Sequence, residues 1–421
     1  MKRDVAIGIT ASILVGSAAL LLAHTLDARF FDPQTGNDVW FEGDLGRIAD
    51  EMTNRRAEHS RSNVHPLFPL ITVPAAYVLR ALGFGAKWSV VAVIGLSAAV
   101  WTASFWVLVR SFGTRRSDAA IMLLLATISA AGQFWLAVPE TAALASASVM
   151  CAVALGVYAA RRPLDDRWFI AVSAASLAVT VTNWIAGLAA AVAALPPRRA
   201  MQVSVNAFAI VVALWAVERA ITPNAKFLTG YMQEQRYLFR PEAGGPFTAL
   251  RAVAVFGMVV PRLDTVYKER RGQILTVQRP LLSDQALLWW VATILWGGLV
   301  VAGLVAALRA RLAGGYGLLA FVIVCQLGLY AVYGTESFLY TLGVVPLLVA
   351  LVSAALQTRY VWWVRIGLVT LVILAGINNA SRLVEARRCF TGPVEASGAS
   401  ASAPPSVPSS AALQCGPLAK K

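Results

Sequence analysis

The chain has 421 residues, of which 58% are hydrophobic and only 14% charged, and its mean hydropathy is +0.66. That is too little charge to coat a soluble protein of this length, so the composition excludes an ordinary soluble enzyme and points to an all-α polytopic membrane protein. The net charge of +14 lies in short clusters between apolar segments, the pattern of cytoplasmic loops and not of a nucleic-acid surface.

The first apolar segment, Val5 to Ala23, follows Lys2 and Arg3 and lacks a small-residue cleavage site before His24, which predicts an uncleaved helix with a cytoplasmic N-terminus. Further spanning segments are expected at 88–109, 119–137, 141–160, 200–219, 284–307, 315–333, 337–356 and 361–379. The basic connectors 110–116, 161–167, 196–199, 309–311 and 357–360 can all be cytoplasmic together under two conditions. The stretch 65–83, broken by Pro66, Pro69 and Pro74, must lie at or dip into the outer surface, because proline removes a helix donor and clashes with the preceding turn. The stretch 168–195 must form two short helices meeting at Thr182-Asn183. This gives about eleven crossings with interfacial or re-entrant helices between them, the N-terminus inside and the C-terminus outside.

Two polar loops then face outward, 24–87 and 221–285. Within the second, the apolar run 247–261 is too short to span and reads as interfacial or re-entrant, although the cluster Lys268, Arg270, Arg271 would sit more comfortably inside. From Thr391 onward Ala, Ser and Pro dominate, a composition that cannot bury a core. Residues 1–390 are therefore the membrane domain and 391–421 a disordered tail; Cys389 and Cys415 flank the Ala/Ser/Pro stretch, and a disulfide between them stays open if the tail is exported.

The first loop carries the chemistry-bearing sequence NDVWFEGDLGRIADEMTNRRAEHSRSNVHPLFPL, Asn37 to Leu70. Leu45, Ile48, Ala49 and Met52 recur at helical spacing, predicting a short helix whose apolar stripe lies on the membrane. Asp50, Glu51 and Glu58 read as its solvated face, and Asp44 is either its N-cap or a functional acid. With the expected parity, Asp44, Arg47, Arg61 and His65 share the outer side with Glu140, Asn183 and Glu336, each at a helix end. Ionisable groups near the bilayer are costly to keep and mark functional sites. The chain has no HExxH, Walker glycine loop, CxxC or GxSxG, and the three histidines lack close metal-ligand spacing; a carboxylate-bound divalent cation stays open.

WFEGD ending at Asp44, HPL at His65 to Leu67, VPET around Glu140, the TN tip at Asn183 and FLY at Phe338 to Tyr340 together resemble the C-type glycosyltransferase superfamily, nearest to its protein O-mannosyltransferase and lipid A aminoarabinose transferase types. The likeness covers roughly residues 5–380. It departs from the family where the adjacent acid pair is spread as Glu42-Gly43-Asp44 and the second proline is displaced to Pro69. The resemblance implies transfer of a sugar from a polyprenyl-phosphate carrier to a lipid, glycan or protein acceptor outside the bacterial cytoplasmic membrane.

In that reaction an acceptor hydroxyl needs a carboxylate to take its proton. Asp44 is the expected base, with Glu42 second. Arg61 and Arg236 are expected to stabilise the departing phosphate, which a guanidinium matches in two-point contacts. Arg47, His65, Glu140, Asn183, Glu336 and Tyr340 are expected to line the sugar and acceptor cavity. The rival readings are a transporter or lipid flippase and a non-catalytic envelope-assembly subunit. A site reachable from one face only favours the enzyme over a carrier.

Overall fold

In a bilayer every backbone group must be satisfied within the chain, which favours helices, and most of the described residues are helical. The computed structural model describes residues 2–227, 231–268 and 272–391; Arg270, Arg271, Cys415 and the tail 392–421 lie outside the described residues. Among these, seven helical stretches are long and apolar enough to cross a membrane. They are α1 (Lys2–His24), α4 (Ala86–Ser111), α7 (Ala142–Ala159), α10 (Pro197–Ile221), α12 (Leu287–Arg309), the stretch Ser337–Gln357 that contains α14 (Thr341–Val352), and α15 (Val361–Thr391). The shorter helices are α2 (Leu45–Thr53), α3 (Phe68–Ala81), α5 (Arg116–Ile128), α6 (Ala130–Trp135), α8 (Asp166–Val179), α9 (Trp184–Ala194), α11 (Pro246–Arg251) and α13 (Tyr316–Tyr330).

Several expected spans change shape. The apolar run 119–137 is not one helix, because Ser129 turns out of α5 with ψ 157° and its Oγ caps the Gly132 N–H of α6 at 3.1 Å. α15 outruns its apolar sequence by about three turns. The added turns carry the i,i+3 pair Arg382–Glu385 at 2.7 Å and end on Phe390, which packs edge-on against Phe30. α3, with 14 residues, is one of the shorter apolar helices. α8 and α9 do meet at a 3-10 turn, Val181–Asn183.

At one end of the bundle the basic connector 110–116 is tied to α1, and α15 to α5, by ion pairs. Asp4 at the start of α1 takes Arg110 at 2.9 Å and Arg116 at 2.8 Å. Arg365 of α15 grips both oxygens of Asp118 in α5 at 2.8 and 3.0 Å. Gln357 reaches Phe112 O at 3.2 Å and Tyr316 Oη at 2.8 Å. The helix ends that carry Glu140, Asn183 and Glu336 lie at the opposite end.

The second polar loop supplies two features that sequence did not foretell. One is a two-stranded antiparallel hairpin, β1 (Asp264–Lys268) and β2 (Gly272–Thr276). The other is the shape of 247–261, which starts at an exposed Phe247 and is mostly buried beyond it. α11 runs into a π turn, Ala252–Phe256, and the irregular chain beyond it is fully buried at Met258, Val259 and Val260. Non-helical backbone at that depth needs protein partners. Asn379 Nδ2 donates to Met258 O at 2.8 Å and to Ile128 O at 3.1 Å, while its Oδ1 accepts from Val260 N at 3.0 Å. Asn378, Trp289 and Trp296 satisfy Val260 O, Val259 O and Ala254 O.

Replacing Asn379 by leucine removes all three bonds; Met258 O keeps the Ala130 N–H and Ile128 O keeps Gln133 Nε2, but the buried Val260 N–H is left without a partner. An orphaned buried polar group costs ~1–3 kcal/mol, and a loss of that order is expected. A melt of the detergent-solubilised protein that matches wild type would show that Asn379 does not hold this turn.

Candidate functional site

The acidic loop is fixed by its own aromatic residues. Trp40 and Phe41 are buried among Phe134, Trp135 and Phe338, with the Phe41 and Phe338 rings 4.8 Å apart, and Trp40 Nε1 donates to Phe134 O at 3.2 Å. The hairpin adds a backbone clamp, since Leu275 N donates to Val39 O at 3.0 Å and Phe41 N to Leu275 O at 3.1 Å. Between these anchors Asp38, Phe41 and Glu42 adopt φ of +66°, +49° and +57°. Such values are disfavoured for L side chains and persist where the surroundings over-determine them. Here they turn Glu42 and Asp44 into a cavity.

Two expectations for α2 are corrected. Its stripe of Leu45, Ile48, Ala49 and Met52 is buried, at 2% exposure or less, with Ile48, Ala49 and Met52 packed among Ala23, Phe68 and α4 residues and not on the membrane. Gly46 permits this closeness, because a Cβ there would stand 2.0 Å from Asp32 O. Glu51 is not solvated: it is 1% exposed and its Oε1 has no partner. Burial pushes its carboxyl up to about 7 against the Arg61 N–H that it accepts. Asp44 occupies the N-cap position but its side chain makes no capping bond. The pure cap reading therefore fails, and the carboxylate is spent elsewhere.

A single cavity of about 670 Å³, within the range that holds small ligands, collects every residue singled out in the sequence. Glu42, Asp44, Arg47, Arg61, His65, Glu140, Asn183, Arg236, Glu336 and Tyr340 all line it. On one wall Asp44 Oδ1 meets Arg47 Nη1 at 3.1 Å, and Asp44 Oδ2 accepts from Arg61 Nε at 2.6 Å. Arg61 also approaches Glu234 at 3.8 Å and lies over the Tyr237 ring, 5.8 Å from its centre. Arg236 is exposed at the mouth and stacks on the same tyrosine at 4.9 Å. Glu234 is bonded by Tyr333 Oη and by Asn63 Nδ2.

The facing wall holds Glu140, Thr141 and His65. Thr141 N donates to Glu140 Oε2 at 2.6 Å, and the Thr141 hydroxyl lies 3.3 Å from that oxygen and 3.4 Å from His65 Nε2. His65 Nδ1 sits 2.9 Å from Val179 O. A carbonyl can only accept, so Nδ1 carries the hydrogen and Nε2 offers a lone pair to the cavity. Burial, helped by the nearby Arg61 charge, pulls His65 down to about 4, so the ring is neutral at physiological pH. Burial and the Asp44 charge push Glu140 up to about 7.

Deeper in, Asn183 Nδ2 donates to Ala145 O at 3.0 Å and its Oδ1 accepts from Gln326 Nε2 at 3.1 Å. Asn183 is therefore held by its neighbours more than presented to a ligand. Glu336 accepts from Thr276 through Oε2, while its buried Oε1 has no partner. Burial pushes it up to about 8, which makes it a neutral hydrogen-bond donor at pH 7. The Thr335 hydroxyl binds Glu42. The Tyr340 ring stacks on Tyr330 at 4.6 Å, and Gly334 at φ +89° leaves room for it, since a Cβ there would stand 2.7 Å from the Tyr340 hydroxyl.

Glu234, Tyr237, Arg240, Tyr333 and Thr141 also line the cavity and were not foreseen. The sequence signals are the mixed acid, base and aromatic run EQRYLFR, Glu234 to Arg240, and, for Thr141, the VPET motif that it ends. Among the described residues no group of three or more His, Cys, Asp or Glu side chains is placed to hold a metal ion. No protein-family model matches the chain, no curated protein matches its sequence, and no solved structure matches its fold.

Proposed function

We propose that the protein transfers a sugar from a polyprenyl-phosphate donor to an acceptor hydroxyl, at the outer face of the cytoplasmic membrane. The observation that carries this reading is the pairing of Arg47 and Arg61 on Asp44 in a cavity whose other wall holds a carboxyl, Glu140, and a neutral imidazole, His65. Guanidiniums match phosphate oxygens in two-point contacts, while carboxyls and amides match sugar hydroxyls. The cavity lies beyond the ends of apolar helices, so a donor can keep its tail in lipid and its headgroup among the arginines.

The likeness of WFEGD and HPL to C-type glycosyltransferase motifs supports the same reading. In this reading the chain has about eleven crossings, in which α5–α6 and the shorter α8, α9 and α13 complement the seven long helices. All of the basic connectors would then lie on the cytoplasmic side and the cavity on the other.

The test is incubation of the purified, liposome-reconstituted protein with a radiolabelled polyprenyl-phosphate sugar, with and without lipid, glycan and peptide acceptors. Label is expected to leave the carrier only when an acceptor is supplied. Retention of all label on every donor tried, by protein that melts as a folded species, would sink the transferase reading.

A further inference from the structure

We propose that Glu140, and not Asp44, takes the proton from the acceptor hydroxyl, and that Asp44 acts as a positioning residue that holds Arg47 and Arg61 on the phosphate side. The inference rests on the transferase reading above and assigns the chemistry within it.

The two carboxylates differ in what their oxygens already do. Both oxygens of Asp44 accept from guanidinium groups, Oδ1 from Arg47 and Oδ2 from Arg61. A carboxylate shared by two cations holds its lone pairs in charge-assisted bonds, and protonating it would break them. Glu140 is half-buried in the cavity wall, and among the described residues its side chain is bonded by Thr141 alone, at Oε2. No described residue bonds Oε1. Glu140 thus keeps one oxygen for a substrate, while the backbone N–H of Thr141 fixes the other.

The neighbours of Glu140 suit a proton acceptor. The Thr141 hydroxyl has one hydrogen and two acceptors within reach, Glu140 Oε2 and His65 Nε2. While Glu140 is ionised the hydroxyl points to the carboxylate; once Glu140 is protonated it turns to the imidazole. His65 stays neutral, because its Nδ1 hydrogen is committed to Val179 O and Arg61 disfavours a second charge. The charged or titratable groups facing Glu140 are Asp44, Arg61, Tyr340 and His65. Asp44 raises its proton affinity and Arg61 lowers it, and burial leaves the balance near neutral pH, where a general base is most effective.

The step balances as follows. The acceptor oxygen forms a bond to the anomeric carbon as its proton passes to Glu140. The bond from that carbon to the phosphate oxygen breaks, and its electron pair leaves on polyprenyl phosphate, whose added charge faces Arg61 and Arg47. Glu140 then releases its proton to solvent.

The experiment uses the full chain in phosphatidylethanolamine–phosphatidylglycerol liposomes, with two readouts. Undecaprenyl phosphate binding is followed by tryptophan fluorescence, and transfer is followed with the labelled donor across pH 5 to 9. Glu140→Gln is expected to bind the lipid phosphate as wild type does, to lose ~10²–10⁴-fold in kcat and to lose the rise of kcat with pH centred near 7. Glu140→Asp is expected to recover part of the rate. Asp44→Asn is expected to weaken lipid-phosphate binding at least tenfold and to keep the shape of the pH profile. Wild-type kcat in Glu140→Gln, or a pH limb lost from Asp44→Asn and kept in Glu140→Gln, overturns the assignment and leaves the transferase reading standing. Failure of wild type to bind the lipid phosphate at all overturns the transferase reading, and this inference with it.

Discussion

Asp44→Asn is expected to cut transfer at low donor concentration by about two orders of magnitude, with most of the loss in donor KM. The argument is electrostatic. The side chain of Asp44 is 10% exposed and that of Arg61 is 24% exposed, so the pair sits largely out of water. Truncating one member of a buried, hydrogen-bonded charge pair costs ~2–5 kcal/mol, and ~2.8 kcal/mol is a hundredfold. Asparagine keeps the shape and one oxygen, so Arg47 and Arg61 retain a neutral contact but lose the charge that fixes their direction.

The stability of α2 is expected to change little, because the Asp44 side chain makes no capping bond there. Initial rates over a range of donor concentrations, with a melt of the same preparation, decide the matter. A variant with unchanged donor KM and a kcat lowered a thousandfold would return the base role to Asp44, as the sequence first suggests.

Much of this site was legible in the sequence because membrane proteins confine polar residues so tightly. In a chain with 14% charged residues, an acid at a helix end is conspicuous, and the parity imposed by the basic connectors sorts such acids to one face. That logic places Asp44, Glu140, Asn183 and Glu336 on one side, and all four line one cavity.

What stayed hidden depends on packing. The stripe of α2 has the periodicity of a membrane-lying helix, but periodicity does not say what covers the apolar face. Here α3 and α4 cover it, and Glu51 is buried with it. The break at Ser129 and the π turn at Ala252–Phe256 leave no hydropathy signal, since both lie in apolar sequence and depend on distant partners such as Asn379. The hairpin was missed for a related reason: its value is a backbone contact to Val39 and Phe41, residues far away in the chain. The division of labour between Asp44 and Glu140 was equally out of reach, because it turns on which oxygens are already bonded.

Arg61 is the other residue whose loss is expected to be large, and its substitutions separate geometry from charge. It touches Asp44, approaches Glu234 and covers Tyr237, so three neighbours aim one planar fork into the cavity. Arg61→Ala removes that fork and is expected to lower kcat/KM by ~10²–10³-fold, the scale seen when one donor to a developing oxyanion is lost. Arg61→Lys keeps the charge but offers no planar, two-point contact and does not stack as a guanidinium does, so it is expected to recover less than a tenth of the wild-type rate.

Arg236 makes the natural comparison. It is exposed at the cavity mouth, where a charge acts mainly on encounter and is screened by salt. Arg236→Ala is therefore expected to lose less than tenfold, with the deficit shrinking as ionic strength rises. Arg47 still accompanies Asp44 in Arg61→Ala, so that carboxylate keeps a cationic partner and the fold is expected to survive. Transfer by Arg61→Lys at the wild-type rate would mean that only net charge matters at this wall. A salt-independent, hundredfold loss in Arg236→Ala would move the phosphate contact from the buried arginine to the exposed one.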